Sequence, residues 1–247
     1  GKINMLEIKE FNKIIVANWK LNGSSEFLEA YFEELDLKEI NSDICGIVCP
    51  PITYFQNCYS KLHSLHLGAQ DCSKFKEGAY TGEISASMLR ESNCEFCIVG
   101  HSERRQVFNE KNEEIKLKAE LLLEEKIIPI ICIGETFEQK KANETKKILK
   151  EQIIKSLPRK TSNELVVIAY EPIWAIGSGM TPSPQEINNI HEYLKKEIQD
   201  IQGYKILYGG SVNSNNANEI MSLENVDGVL VGGASLKPKQ FSEILRA

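Results

Sequence analysis

Ala169-Tyr170-Glu171-Pro172-Ile173-Trp174-Ala175-Ile176-Gly177-Ser178-Gly179 is the stretch whose reading decides the fold. The apolar run Leu165 to Ala169 leads into it and delivers one carboxylate, Glu171, to what reads as the mouth of a strand. Pro172 stiffens the exit, because its ring fixes φ and restricts the residue before it. A loop as apolar as Ile173 to Ile176 is expected to lie bare in water only if it covers something. The reading is a base on a rigid strand end with a lid, Trp174 to Gly179, directly behind it. Taken alone, the glycines favour an ordinary strand-to-helix turn, so the rest of the chain must decide.

Short apolar runs alternate with amphipathic stretches along the whole chain. Candidate strands are Ile14–Ala17, Ile47–Cys49, Leu65–Ala69, Phe96–Val99, Ile127–Ile133, Leu165–Ala169, Ile206–Tyr208 and Gly228–Val231. They are continuously apolar, as strands of a parallel sheet covered on both faces are. Candidate helices between them are Ser25–Leu35, Thr53–Leu62, Ile84–Arg90, Asn112–Glu125, Asn143–Ser156, Pro184–Asp200, Asn215–Met221 and Pro238–Leu245. Eight β-then-α units in 247 residues match a closed (β/α)8 barrel, a TIM barrel of eight parallel strands ringed by helices, in count and length. The alternative, an open doubly wound sheet, lacks its GxGxxG turn near the amino end. No composition shift or linker marks a boundary, so residues 1–247 are read as one barrel domain. The chain reads naturally from Met5, with Gly1 to Asn4 as an added or disordered lead.

Composition narrows the partners. The chain is 42% hydrophobic and 26% charged, with net charge -6, which argues against nucleic acid or an anionic membrane. The longest apolar run, Ile127 to Ile133, is interrupted by Pro129 and too short to span a bilayer. Seven cysteines, an odd number, argue against a disulfide framework and for a reducing cytoplasm. Cys94-Glu95-Phe96-Cys97 has CxxC spacing without a second pair or a histidine cluster, so it reads as buried thiols.

In a barrel, residues just after each strand converge at one mouth, so they are read together. Asn18 and Lys20 follow the first strand, and alternation puts them on one face if the strand continues that far. His101 follows Gly100 at the fourth strand exit, whereas His63, His66 and His191 lie in strand or helix bodies and carry no assigned chemistry. Glu103 is placed to pair with Lys20 or Arg105. Cys132 and Glu135 sit near the fifth exit, with Cys132 read as packing because no basic partner is evident. Two glycine pairs, Gly209-Gly210 before Ser211 and Gly232-Gly233 before Ala234, follow the seventh and eighth strands. Glycines admit a close ligand, and barrels commonly bind phosphate at these two loops. No metal cluster, nucleophile elbow or Ser-His-Asp set accompanies them. The set points to cofactor-free proton transfer on a small phosphorylated substrate.

Asn18-Trp19-Lys20, Gly100-His101-Ser102-Glu103-Arg104-Arg105, Ala169 to Gly177, Tyr208-Gly209-Gly210-Ser211-Val212 and Val231-Gly232-Gly233-Ala234-Ser235-Leu236 resemble the signatures of the triosephosphate isomerase family, in that family's order and spacing. The resemblance runs from about Lys13 to the end. Gln70 and Gly78-Ala79-Tyr80-Thr81-Gly82-Glu83-Ile84-Ser85 are similar to the family's third loop, which reaches into the neighbouring subunit of a homodimer. It implies a cytoplasmic enzyme of glycolysis and gluconeogenesis, interconverting dihydroxyacetone phosphate and D-glyceraldehyde 3-phosphate through an enediolate. That family is a standard example of pKa tuning and lid closure, so the roles that follow are carried over from it. Glu171 is implied as the base, neutral His101 as the group that polarises the carbonyl oxygens, and Lys20 with Asn18 as electrostatic partners. Main-chain N–H groups of Gly177, Ser211, Gly232 and Gly233 are implied to hold the phosphate. Glu103 is implied to fix Lys20, and Tyr208 and Ser211 to latch the lid Trp174, Ala175, Ile176, Gly177, Ser178 and Gly179.

Departures are small. Ser178 stands where threonine is usual, Met180-Thr181-Pro182 replaces a hinge with a basic residue, and Pro184 adds a second proline. These bear on lid rate rather than reaction type. Asp71 stands where asparagine is common, and the amino end is longer by several residues. Two competing readings are another phosphate-binding barrel enzyme and a barrel kept as a binding module. A Schiff-base aldolase needs a lysine within a mid-barrel strand, and none interrupts the fifth or sixth. Retention of Glu171, His101 and Lys20 speaks against a bare binding module.

Overall fold

The fold was obtained as a computed structural model, which describes residues 4–176 and 178–247. The expectation for the lead before Met5 falls mostly on residues 1–3, outside the described residues, and so does the phosphate and lid role of Gly177.

Eight strands close into one parallel barrel in sequence order: β1 (Lys13–Asn18), β2 (Ile44–Cys49), β3 (His66–Ala69), β4 (Phe96–Val99), β5 (Ile128–Ile133), β6 (Val167–Tyr170), β7 (Ile206–Tyr208) and β8 (Gly228–Val231). Helices are α1 (Ser25–Glu34), α2 (Phe55–Tyr59), α3 (Ala86–Glu91), α4 (Ser102–Val107), α5 (Asn112–Glu124), α6 (Phe137–Lys141), α7 (Thr145–Ser156), α8 (Pro184–Glu197), α9 (Ala217–Met221) and α10 (Pro238–Leu245). Two of these, α4 and α6, were not expected from periodicity. The expected helix over 53–62 divides into a 3-10 turn, Ile52–Tyr54, and the short α2, and the helix expected to reach Asp200 ends at Glu197.

Apart from the first residues of β1, β2 and β3, the strands are buried, because their two side-chain rows pack into different cores. One row, including Ile14, Val16, Cys132, Val167, Ala169, Leu207 and Leu230, fills the barrel interior with Ile47, Phe96 and Ile98. The other, including Ile15, Ala17, Val99, Ile131 and Ile168, packs against the helices. Period-two alternation makes the inward rows end at the mouth on Asn18, Glu171, Gly209 and Gly232. The opposite end is plugged by Ile8, packed with Met5, Leu6 and Phe11. Closure at β8 needs Gly228: it has φ +144°, and a Cβ there would lie 1.8 Å from the carbonyl oxygen of Ile14.

All seven cysteines are free and buried. The Cys94 thiol donates to the carbonyl of Phe96 at 2.9 Å, and burial raises the pKa of both Cys94 and Cys97. No described helix is long and apolar enough to cross a membrane.

Helix α8 starts with a capping box, in which Ser183 accepts from Glu186 N–H and the Glu186 carboxylate accepts from Ser183 N–H. Its buried face carries His191, wholly enclosed beside the rings of Tyr170 and Tyr208. Burial lowers the pKa of this histidine to about 3. An unfolded histidine takes its proton near pH 6.5, so the unfolded chain binds more protons below that value and stability falls from about pH 6.5 towards pH 3. By pH 5 the loss amounts to about 2 kcal/mol. A His191→Gln variant, followed by denaturant unfolding at pH 7 and pH 5, is expected to lose less stability over that interval than the parent by about this amount; an equal loss would show that the histidine does not control it.

Candidate active site

The mouth of the barrel holds a cleft lined by Asn18, Lys20, His101, Glu171, Ile176, Ser211, Asn213, Leu230 and the glycines of the last two strand ends. Most of the residues singled out in the sequence therefore meet in one place, although they come from five strand ends.

Glu171 is almost fully buried. Its Oε2 accepts the backbone N–H of Ser102 at 3.1 Å, and its Oε1 lies 2.7 Å from His101 Nε2. Both contacts come from the start of α4. The backbone beneath the carboxylate is locked as well: Glu171 N–H donates to the Ile133 carbonyl at 2.8 Å. A Cβ on Gly134 would lie 1.8 Å from the Glu171 carbonyl oxygen, so only glycine lets the β5 exit approach this closely.

His101 is the N-cap residue of α4, and its Nδ1 accepts the backbone N–H of Glu103 at 3.1 Å. Burial disfavours a charged ring, yet the Glu171 carboxylate beside it, with Glu103, draws the pKa above its ordinary value. Against that stands the Glu103 amide. Its hydrogen points at Nδ1 and leaves no place for a second proton. We therefore assign the neutral tautomer with its proton on Nε2, donated to Glu171.

Lys20 has φ 55°, a left-handed conformation that is strained in a side-chain-bearing residue. Both of its backbone groups are clamped. Its N–H donates to Asn18 Oδ1 at 3.0 Å, and its carbonyl accepts Gln70 Nε2 at 3.0 Å. The ammonium lies 2.8 Å from Glu103 Oε1 and beside Gly232. Of the two pairings open to Glu103, the structure makes the one with Lys20. Arg105 turns inward instead, donating to the carbonyls of Gly100 at 2.9 Å and Cys132 at 3.0 Å and to Asn112 Oδ1 at 2.6 Å.

Both arginines of α4 anchor it. Arg104 Nε lies 2.8 Å from Glu110 and 3.1 Å from Asp71, and Lys118 completes the cluster at 2.9 Å from Asp71 and 3.1 Å from Glu110. Asp71, the departure noted in the sequence, thus sits between two cations. Such a buried network fixes position more than it adds stability.

Cys132 is buried in the barrel interior, and burial, with the Glu171 charge, holds its thiol well above the ordinary range. It stays protonated. Glu135, near the mouth in sequence, does not line the cleft: its carboxylate accepts the hydroxyl of Tyr170 at 2.9 Å and 3.1 Å. The last glycine pair is held by Ser235, whose Oγ donates to the Gly232 carbonyl at 2.6 Å while Tyr31 donates to the Ser235 carbonyl at 2.7 Å.

In the stretch expected to form a lid, Ile173–Ala175 is a 3-10 turn and Ile176 lines the cleft. Ser178 Oγ donates back to the Trp174 carbonyl at 2.7 Å, and Ser178 and Gly179 stand exposed. Trp174 lies under the ammonium of Lys140, 3.7 Å from its ring centroid. Ser211 Oγ donates to the Ala175 carbonyl at 2.6 Å, whereas the buried Tyr208 hydroxyl has no hydrogen-bond partner among the described residues. Of the two expected latches, only Ser211 is brought to a described lid atom. Among the described residues no group of three or more His, Cys, Asp or Glu side chains is arranged for a metal ion.

Sequence reasoning missed Ser102, whose contribution is an amide, and Gln70 as the clamp on Lys20. It also missed Asn213 in the cleft wall. The helix signal that would have located Ser102 was absent, because Ser102–Val107 carries no apolar periodicity.

The model of a protein family described as triosephosphate isomerase matches residues 13–247. A triosephosphate isomerase of Dictyoglomus turgidum is 41% identical over 246 residues, covering 95% of this chain and 99% of that protein. One from Coxiella burnetii is 42% identical over 248 residues, covering 94% and 95%, and one from Herminiimonas arsenicoxydans is 40% identical over 245 residues, covering 95% and 98%. With the closed barrel and the cleft described above, these matches show that the chain belongs to the triosephosphate isomerase family.

Proposed function

We propose that this chain interconverts dihydroxyacetone phosphate and D-glyceraldehyde 3-phosphate, with Glu171 as base and His101 as the neutral acid. The observation that carries the reading is the 2.7 Å approach of Glu171 Oε1 to His101 Nε2 inside a cleft also lined by Lys20 and the two glycine-rich strand ends. Family membership supports the substrate.

Substrate seated with its carbonyl oxygen at His101 takes over the Nε2–H hydrogen bond and frees the carboxylate. Glu171 then removes a proton from the carbon bearing the hydroxyl, and the electron pair moves onto the carbonyl oxygen. The resulting enediolate is held by His101 Nε2–H and by the Lys20 ammonium, with Asn18 beside it. Glu171 returns the proton to the neighbouring carbon, and His101 moves the proton between the two oxygens. The phosphate rests against the backbone of Ser211, Gly232 and Gly233. Gly177 joins them in this reading, as part of the lid Trp174 to Gly179.

The lid has a chemical purpose. An enediolate phosphate in water can expel its phosphate, so excluding water protects the product and strengthens the electrostatics. Base and lid share one piece of chain, and Ser211 touches both the phosphate cleft and Ala175.

The same reading gives a cytoplasmic homodimer, one barrel domain per chain. The loop around Thr81 stands exposed, with Tyr80 stacked on Phe75 at a centroid distance of 3.7 Å. Leu21, Met88 and Phe108 are exposed apolar side chains that a partner would cover.

A coupled assay with D-glyceraldehyde 3-phosphate tests the reaction. Glu171→Gln is expected to lower kcat about 10³-fold at an unchanged melting temperature; an undiminished rate would remove Glu171 as base. Sizing chromatography at micromolar concentration is expected to give twice the 27.9 kDa chain mass. A fully active monomer would refute the dimer.

A further inference from the structure

The turn that follows Gly209-Gly210 is held by side chains from behind. Asn216 Oδ1 accepts the backbone N–H of Asn213 at 2.8 Å, and Asn213 Oδ1 accepts the N–H groups of Asn215 at 2.8 Å and Asn216 at 3.1 Å. This much is a reciprocal box that starts the turn into α9. Asn216 does one thing more. Its Nδ2 donates to the carbonyl of Ser211 at 2.9 Å, five residues back and outside the box.

That bond changes what the side chain controls. The Ser211 carbonyl belongs to the peptide before Val212, and the Asn213 N–H to the peptide after it. One amide group therefore pins the peptide planes on both sides of Val212, using both of its polar atoms. Ser211, Val212 and Asn213 all line the cleft, and Ser211 Oγ also reaches the lid carbonyl of Ala175 at 2.6 Å. Glycines immediately before Ser211 impose no shape on this turn by themselves. The restraint comes from Asn216.

We infer that Asn216 is a positioning residue for the phosphate end of the cleft: it holds Ser211–Asn213 in the shape that receives the phosphate and meets the lid. This rests on the phosphate-binding reading above. Asn216 makes no contact with the reacting carbons, so its effect is confined to substrates that carry the phosphate.

The test compares Asn216→Ala and Asn216→Asp with the parent, using inorganic phosphate as competitive inhibitor and two substrates, D-glyceraldehyde 3-phosphate and phosphate-free D-glyceraldehyde. Asn216→Ala is expected to raise KM for the phosphorylated substrate and Ki for phosphate together, roughly tenfold, the loss of one ordinary hydrogen-bonded restraint. Turnover of D-glyceraldehyde is expected to change less than about twofold, since its transition state makes no phosphate contact. Asn216→Asp keeps the acceptor for Asn213 N–H but sets an acceptor against the Ser211 carbonyl. At salt high enough to screen its charge, it is expected to leave phosphate inhibition as weak as in Asn216→Ala. Unchanged phosphate inhibition in both variants, an equal loss on both substrates, or full recovery in Asn216→Asp would overturn the proposal and leave Asn216 as a helix-starting residue. If Asn216→Ala does not fold, the Asn216→Asp comparison decides alone. A parent protein that neither isomerises triose phosphate nor is inhibited by phosphate would instead overturn the functional reading itself.

Discussion

Two adjacent backbone amides at the start of α4 set the geometry of the cleft. Ser102 N–H holds Glu171 Oε2, and Glu103 N–H holds His101 Nδ1. A side chain in that place would vary with rotamer and protonation; an amide does neither. The carboxylate is thereby aimed, and the imidazole is kept in the tautomer that can donate from Nε2. The chemistry proposed for this chain needs both conditions at once: a base that is ionised and an acid that is neutral, 2.7 Å apart. In a shared buried site, charge alone would push the pair towards a carboxylate and an imidazolium, so the amide at Nδ1 is what opposes that outcome.

Everything around α4 keeps those amides still. Helix α4 has six residues, too few to be stable by itself. Arg105 ties it to the carbonyls at the β4 and β5 exits, and Arg104 ties it to Glu110 and Asp71. The barrel supplies the complementary half. Strict alternation along β6 carries Val167 and Ala169 into the interior and brings Glu171 to the mouth, while the Gly134 contact prevents its backbone from shifting. At the cleft, the left-handed backbone of Lys20 persists because Asn18 and Gln70 grip it from two sides.

The barrel was legible because its signal is repeated. Continuous apolar runs recur eight times, and β4, β7 and β8 fall on the expected residues. The groups proposed to act by side-chain chemistry, Glu171, His101 and Lys20, were legible for a related reason: each lies within two residues of a strand end, where polar residues converge. What stayed hidden acts through the backbone or through tertiary contact. Ser102–Val107 has no apolar stripe, because its arginines, not a greasy face, hold it down. Gln70 grips a main-chain carbonyl fifty residues away, and no local pattern encodes that. Glu135 shows the converse: it lies at a strand exit and faces Tyr170 instead of the cleft, since strand position alone does not state which way the loop turns.

Nitrogen NMR of the His101 ring at pH 7 tests the central claim most directly. One unprotonated nitrogen, Nδ1, and one protonated nitrogen, Nε2, are expected, in the parent protein and in Glu171→Gln alike, because the Glu103 amide and not the carboxylate fixes the tautomer. Two protonated nitrogens in the parent at pH 7 would contradict the account, for they would place the deciding influence in the Glu171 charge.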